Sequence, residues 1–228
     1  MIRAWIAFGL LSGAAFAQQP KFVLIPAGPA QERPFWMART ETTVEQFAAF
    51  VHSTGYLTDA EKAASSRTWR SPGFPLKRKQ PVVYVTPADA IAYCEFIGAR
   101  LPADAEWEYA ARAGAATRHY WGDSIDGSYL WYRANSNDAP HRVATKRPNA
   151  FGLYDVEGNV WEWALSSPDK GEPMANRRGG SWIDCEDIES GPGRGPGPLI
   201  GLSTSFKISV KYGLRYDDIG FRCARSKP

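Results

Sequence analysis

A chain of 228 residues is long enough for one ordinary globular domain and too short for two comfortable ones. Its 27 Lys and Arg against 24 Asp and Glu leave a formal net charge of +3. The one compact basic cluster, Lys77-Arg78-Lys79, reads as a solvated loop, so neither nucleic-acid nor membrane binding is expected.

In chain order, Arg3, the apolar run Ala4–Leu11 and the small residues ending in Ala15-Phe16-Ala17 read as a secretory signal peptide over residues 1–17. The run is shorter than the roughly 20 residues that span a bilayer, so no membrane association is expected after cleavage. No cysteine follows it, so no lipid attachment is expected either. Phe22–Ile25 looks like a short buried strand ended by Pro-Ala-Gly. Thr42-Thr43, with Glu45 three residues after Thr42, predicts a capped amphipathic helix over Val44–Val51 that stops at Gly55. Residues 58–79 are polar and poorly periodic, an ordered loop around Trp69. Pro81–Val85 is a strand candidate. Thr86-Pro87 then opens a helix to about Gly98, and a third helix fits Asp104–Arg112, closed by Gly114. Beyond it, turn signals dominate. Residues 191–201 are too rich in Gly and Pro for a helix, Phe206–Val210 is a possible strand, and Ile219–Ala224 a closing one. With 9 Trp, 10 Tyr and 11 Phe beside 21 Gly and 17 Pro, the core should consist largely of irregular segments pinned by rings. The three cysteines, Cys94, Cys185 and Cys223, allow one disulfide and leave an odd one, and residue chemistry alone does not choose the pair.

Five blocks carry a resemblance. Leu101–Arg112 (L-P-A-D-A-E-W-E-Y-A-A-R), Pro148–Asp155 (P-N-A-F-G-L-Y-D), Gly158–Trp163 (G-N-V-W-E-W), Arg178–Trp182 (R-G-G-S-W) and Gly220–Cys223 (G-F-R-C) resemble, in order, signatures of the formylglycine-generating (sulfatase-modifying factor) family. The resemblance covers about Phe22–Ala224, which implies one domain over residues 22–225. It implies a compact α+β fold related to C-type lectins, with little regular structure. It also implies that Cys94 pairs with Cys223. The family holds a structural Ca²⁺ in its G-L-Y-D-M-x-G-N-V-W-E-W segment, and the matching positions are Asp155, Gly158, Val160 and Glu162. Two hard carboxylates flanking a Gly-permitted bend suit that ion. On residue type alone, Asp155, Glu157 and Glu162 read as surface carboxylates or turn caps. A further family calcium site begins near the match to Asn135-Ser136, but its other ligands fall in a stretch that is shortened here.

Members that make formylglycine bind Cu(I) through two cysteines. The first lies two residues after the aromatic of the G-G-S-[WY] turn and the second five later. Counted from Trp182, these positions hold Asp184 and Glu189, with Cys185 displaced by one place. Two soft thiolates suit Cu(I). One sulfur with Asp184, Glu186 or Glu189 suits Fe²⁺ or Mn²⁺ better, and copper is not expected. Ser181 and Trp161 match residues lining the family's cleft and, with Cys185, are the candidate catalytic residues; as alternatives, Ser181 is a turn residue and Trp161 core. His52, His119 and His141 are dispersed and form no metal motif. The sequence therefore supports a secreted or periplasmic binding or accessory module whose cleft takes a peptide, a small molecule or a partner protein. The alternatives are oxidoreductases: a formylglycine generator acting on a sulfatase Cys, or a divergent oxidase similar to relatives implicated in periplasmic siderophore maturation.

Overall fold

The computed structural model describes residues 19–166, 174–185 and 202–227. The signal-peptide segment, Glu186, Glu189 and the Gly/Pro-rich stretch 191–201 lie outside the described residues. The elements run β1 (Phe22–Ile25), β2 (Phe35–Ala38), α1 (Val44–Thr54), α2 (Asp59–Lys62), α3 (Pro87–Phe96), α4 (Asp104–Arg112), β3 (Trp161–Leu165), β4 (Met174–Arg178), β5 (Lys207–Lys211), β6 (Ile219–Gly220) and β7 (Ala224–Arg225). This is the mixed α+β content expected, in two small sheets with orders β1-β2-β7 and β5-β4-β3-β6. Pairing is antiparallel except between β3 and β6.

Side-chain caps explain where three helices begin. The box that opens α1 lies one residue later than predicted: Thr43 caps Gln46 N–H, and Gln46 Oε1 accepts from Thr43 N–H at 2.8 Å. Glu45 is left to pair with Arg78. The same arrangement, Thr58 with Glu61, makes the short α2 inside the stretch read as a loop. Thr86 and Asp89 open α3, with Pro87 in the first turn where its missing N–H is not needed. Asp89 also accepts from Tyr56 Oη and Asp59 N–H, and Thr86 donates to Asp59, so the starts of α2 and α3 interlock.

The strand predicted over Pro81–Val85 does not form. Tyr84 has φ of 62°, which breaks the extended run, while Val82, Val83 and Val85 are buried among the surrounding elements. The single closing strand predicted over Ile219–Ala224 is instead two. β6 belongs to one sheet and β7 to the other, and Phe221-Arg222-Cys223 cross between them.

That crossing places three buried side chains where the layers meet. Phe221 packs among Phe47 and Tyr93. Cys223 is bonded to Cys94 of α3 across 129 residues of sequence. A closure that long stabilises by roughly 4–5 kcal/mol in the chain-entropy account. Arg222 grips Glu162 of β3 with Nε and Nη2 at 2.7 and 2.6 Å, and donates to the carbonyls of Ala38, Arg39 and Tyr154. Trp107 of α4 donates its indole N–H to the same Glu162 at 2.7 Å. A second buried guanidinium, Arg178 of β4, forks onto Asp104 and reaches Glu108, fixing α4 against the larger sheet. No helix of the described residues is long and apolar enough to cross a membrane.

Candidate functional site

The Arg178–Trp182 turn needs its two glycines. Gly179 and Gly180 have φ of 89° and 77°, and a Cβ on Gly179 would lie 2.8 Å from the Val156 carbonyl oxygen. The turn is then held from outside. Trp182 N–H donates to Asn159 O, Ser136 Oγ donates to Trp182 O, and Arg133 donates to Ile183 O and Asp184 O.

Within it, Asp184 Oδ2 accepts from Ser181 N–H at 2.7 Å and Ser181 Oγ at 2.9 Å, and Asp218 Oδ2 lies 3.3 Å from the same hydroxyl. Burial, followed by the neighbouring Asp218 charge, pushes Asp184 up to about 6. Asp218 is also raised by burial, against the pull of Arg177. The site is thus a serine hydroxyl between two carboxyl groups that resist carrying two full charges together. It can hold and release a proton near neutral pH. Asp218, which precedes the closing G-F-R-C block, was not singled out in the sequence; its adjacency to Asp217 gave no signal of burial.

Of the three candidate catalytic residues, Ser181 is in this cluster, fully buried. Trp161 is also fully buried: it packs near Phe206, with the Arg177 guanidinium 5.0 Å from its ring centroid, and its indole N–H has no partner. Its surroundings match the core alternative. Cys185 is exposed and lies outside the disulfide.

The calcium-candidate segment is a separate cluster. Asp155, Gly158 and Asn159 all have positive φ, at 54°, 77° and 58°, which folds the segment back on itself. Gly158 tolerates no side chain, since a Cβ would stand 2.3 Å from Trp131 O. Asp155, Glu157 and Glu162 are all buried, so the surface-carboxylate reading does not hold for them. Glu157 pairs with buried His119 at 2.6 Å. Glu41, not singled out in the sequence, is buried too. Its carboxylate accepts from Asn159 Nδ2 and Val160 N–H. Burial and the nearby Asp155 and Glu162 charges push Glu41 well above the usual carboxylate range, and burial raises Asp155 as well.

Three carboxyl groups therefore surround one guanidinium, Arg222. Asp155 Oδ2 accepts from Ala144 N–H, while its Oδ1 is buried with no partner. Among the described residues no donor reaches the carbonyls of Gly158 or Val160. Glu162 is largely engaged: Oε2 accepts from Trp107 and Arg222, and Oε1 accepts only from Arg222. The orphaned Asp155 Oδ1 is a hard oxygen of the kind an oxygen-seeking cation takes, and Glu162 Oε1 keeps one lone pair beside its bond from Arg222. No group of three or more His, Cys, Asp or Glu side chains among the described residues is arranged to hold a metal. Asn135 and Ser136, at the further family site, are occupied locally by Tyr132 N–H and Trp182 O.

The sulfatase-modifying factor enzyme 1-like domain matches residues 7–227. The chain belongs to this family. A formylglycine-generating enzyme of Streptomyces coelicolor is 34% identical over 186 residues, covering 60% of this chain and 59% of that enzyme's length. The mouse inactive C-alpha-formylglycine-generating enzyme 2 is 31% identical, covering 87% of this chain and 78% of the relative. Among solved structures, PvdO from Pseudomonas aeruginosa superposes with a TM-score of 0.66 at 21% identity over 91% of each chain, a likeness of fold. The family thus includes proteins named as generators and a protein named as inactive.

The Asp184 geometry has a pH consequence. Its folded value of about 6 lies above the unfolded value of about 3.9, so the folded state holds the proton more tightly between them. The carboxyl's contribution to stability is present below pH 4 and lost as pH rises through 6. Asp184→Asn should therefore gain on the wild type by about 3 kcal/mol between pH 4 and pH 7 in urea unfolding. A difference between the two proteins that does not vary with pH would contradict this placement.

Proposed function

We propose that this chain is an exported, non-copper member of the sulfatase-modifying factor family, acting as a binding or accessory module for a peptide, a small molecule or a partner protein. One observation carries the reading. Asp184, the position of the first copper cysteine in formylglycine-generating members, holds its carboxylate inward on Ser181 beside Asp218. Those are hard oxygens where copper chemistry requires soft thiolates. Of the three cysteines, two are bonded to each other, so this chain has no second thiol to join Cys185. The mouse relative named as inactive makes loss of the oxidation plausible within the family.

Export rests on the N-terminal segment and on the Cys94–Cys223 bond, which suits an oxidising compartment. A bound Ca²⁺ would be structural, held by Asp155, the Gly158 and Val160 carbonyls and Glu162. Its charge would offset the excess of buried carboxylates around Arg222. The residues of the chain do the remaining work: Arg222 and Trp107 orient Glu162, and Asn159 orients Glu41.

Purified protein supplied with Cu(I), oxygen and a C-x-P-x-R peptide should yield no aldehyde-bearing product by mass spectrometry. Clear turnover would sink the non-copper reading and restore the oxidase. Separately, EDTA should lower the melting temperature by roughly 5–10 °C, with recovery on adding Ca²⁺. Asp155→Ala should remove that response. An unchanged melting temperature in EDTA would rule out a structural calcium ion.

A further inference from the structure

A cavity of about 620 Å³ opens between residues 76–80 and the turn that carries His141 and Arg142. Its wall holds four cations, Lys77, Arg78, Lys79 and Arg142, drawn from two segments some sixty residues apart in sequence. Arg78 leans on Glu45 at 3.4 Å. Among the described residues no carboxylate pairs with Lys77, Lys79 or Arg142. The basic run is exposed, as a solvated loop would be, and the fold brings it to the same cavity wall as the exposed Arg142.

Its backbone is fixed. All four carbonyls of residues 77–80 accept hydrogen bonds: Lys77 O from Gln80 N–H, Arg78 O from Glu45 N–H, Lys79 O from Val143 N–H and Gln80 O from Val44 N–H. The Gln80 side chain accepts from Lys77 N–H and donates to Pro140 O, which ties the two cationic segments together. Val44 and Glu45 begin α1, so the segment also lies against the positive end of that helix. On the opposite wall His141 is stacked on Trp131 at 3.6 Å, and its Nε2 is 2.7 Å from Ser136 O. Like charges gathered on a rigid frame repel one another unless an anion lies between them. Guanidinium and ammonium groups bind carboxylate and phosphate through charge-assisted hydrogen bonds, and the cavity has the volume of a small-molecule site.

We propose that this cavity binds a small polyanion, a molecule bearing at least two carboxylate or phosphate groups. It lies beside the Ser181 turn, since Leu76 of its wall packs in the same apolar cluster as Trp182 and Ile183. The proposal is independent of whether the protein oxidises anything.

Isothermal titration of the full chain with citrate and with inorganic pyrophosphate, at constant ionic strength, tests it. At least one should bind saturably at a single site, and which one binds distinguishes carboxylate from phosphate recognition. Acetate should not bind. Arg142→Gln and Lys79→Gln should each weaken binding about tenfold or more, with the melting temperature of the unliganded protein unchanged. Absence of saturable binding by both polyanions, or binding indifferent to both substitutions, would overturn the proposal. So would capture of an acidic peptide alone, which would assign the cavity to a protein partner.

Discussion

The buried pair of Arg222 and Glu162 joins β3 of the larger sheet to the end of β2, to α4 and to the Tyr154 segment at one point. Arg222 sits in the short crossing between the two sheets, and Glu162 sits in β3, an interior strand of the larger one. Their fork joins β3 to the end of β2 and to the Tyr154 carbonyl, and Trp107 brings α4 to the same carboxylate. Desolvating two charges is unfavourable, and the pair compensates through near-complete hydrogen bonding rather than charge attraction alone. Removing either partner would leave the other charged in a fully buried place.

The two chemical clusters flank this contact and inherit their geometry from it. Trp161 and Glu162 begin β3, so whatever holds Glu162 also fixes the Asp155–Val160 bend just before it. Asn159 then links that bend in two directions, by its side chain to Glu41 and by its carbonyl to Trp182 of the turn carrying Ser181. Asp218 immediately precedes β6, the short strand that leads into the same crossing. A serine between two carboxyl groups and a carboxylate cluster around one guanidinium thus come from chain segments that these contacts tie together. Neither is a surface decoration that could vary alone.

Much of this was legible in sequence, for identifiable reasons. Helices α1, α3 and α4 announce themselves through Thr caps, Pro87 and periodic apolar faces; the quoted blocks carry the family, and the family resemblance implies the Cys94–Cys223 pairing that the structure has. β5 shows the alternation of a half-exposed strand and was found. β3 was missed because Trp161-Glu162-Trp163-Ala164 is buried on both faces and has no alternation to read. β4 was missed because it contains Arg178, whose burial depends on Asp104, distant in sequence. The site was legible in Asp184, Ser181 and Asp155, which lie inside or beside motifs. Glu41, Asp218 and Arg177 were not, since a buried charge looks like any other charge until its partners are placed. The cationic cavity was invisible for the same reason: Arg142 meets Lys77–Lys79 only through the fold.

A double-mutant cycle in urea unfolding, with Glu162→Gln, Arg222→Met and the pair together, tests the central role given to this contact most directly. Each single change should destabilise by about 3–5 kcal/mol. The double variant should lose well under the sum, with a coupling of roughly 2 kcal/mol or more. Single effects below about 1 kcal/mol that add without coupling would show that the domain does not depend on this pair.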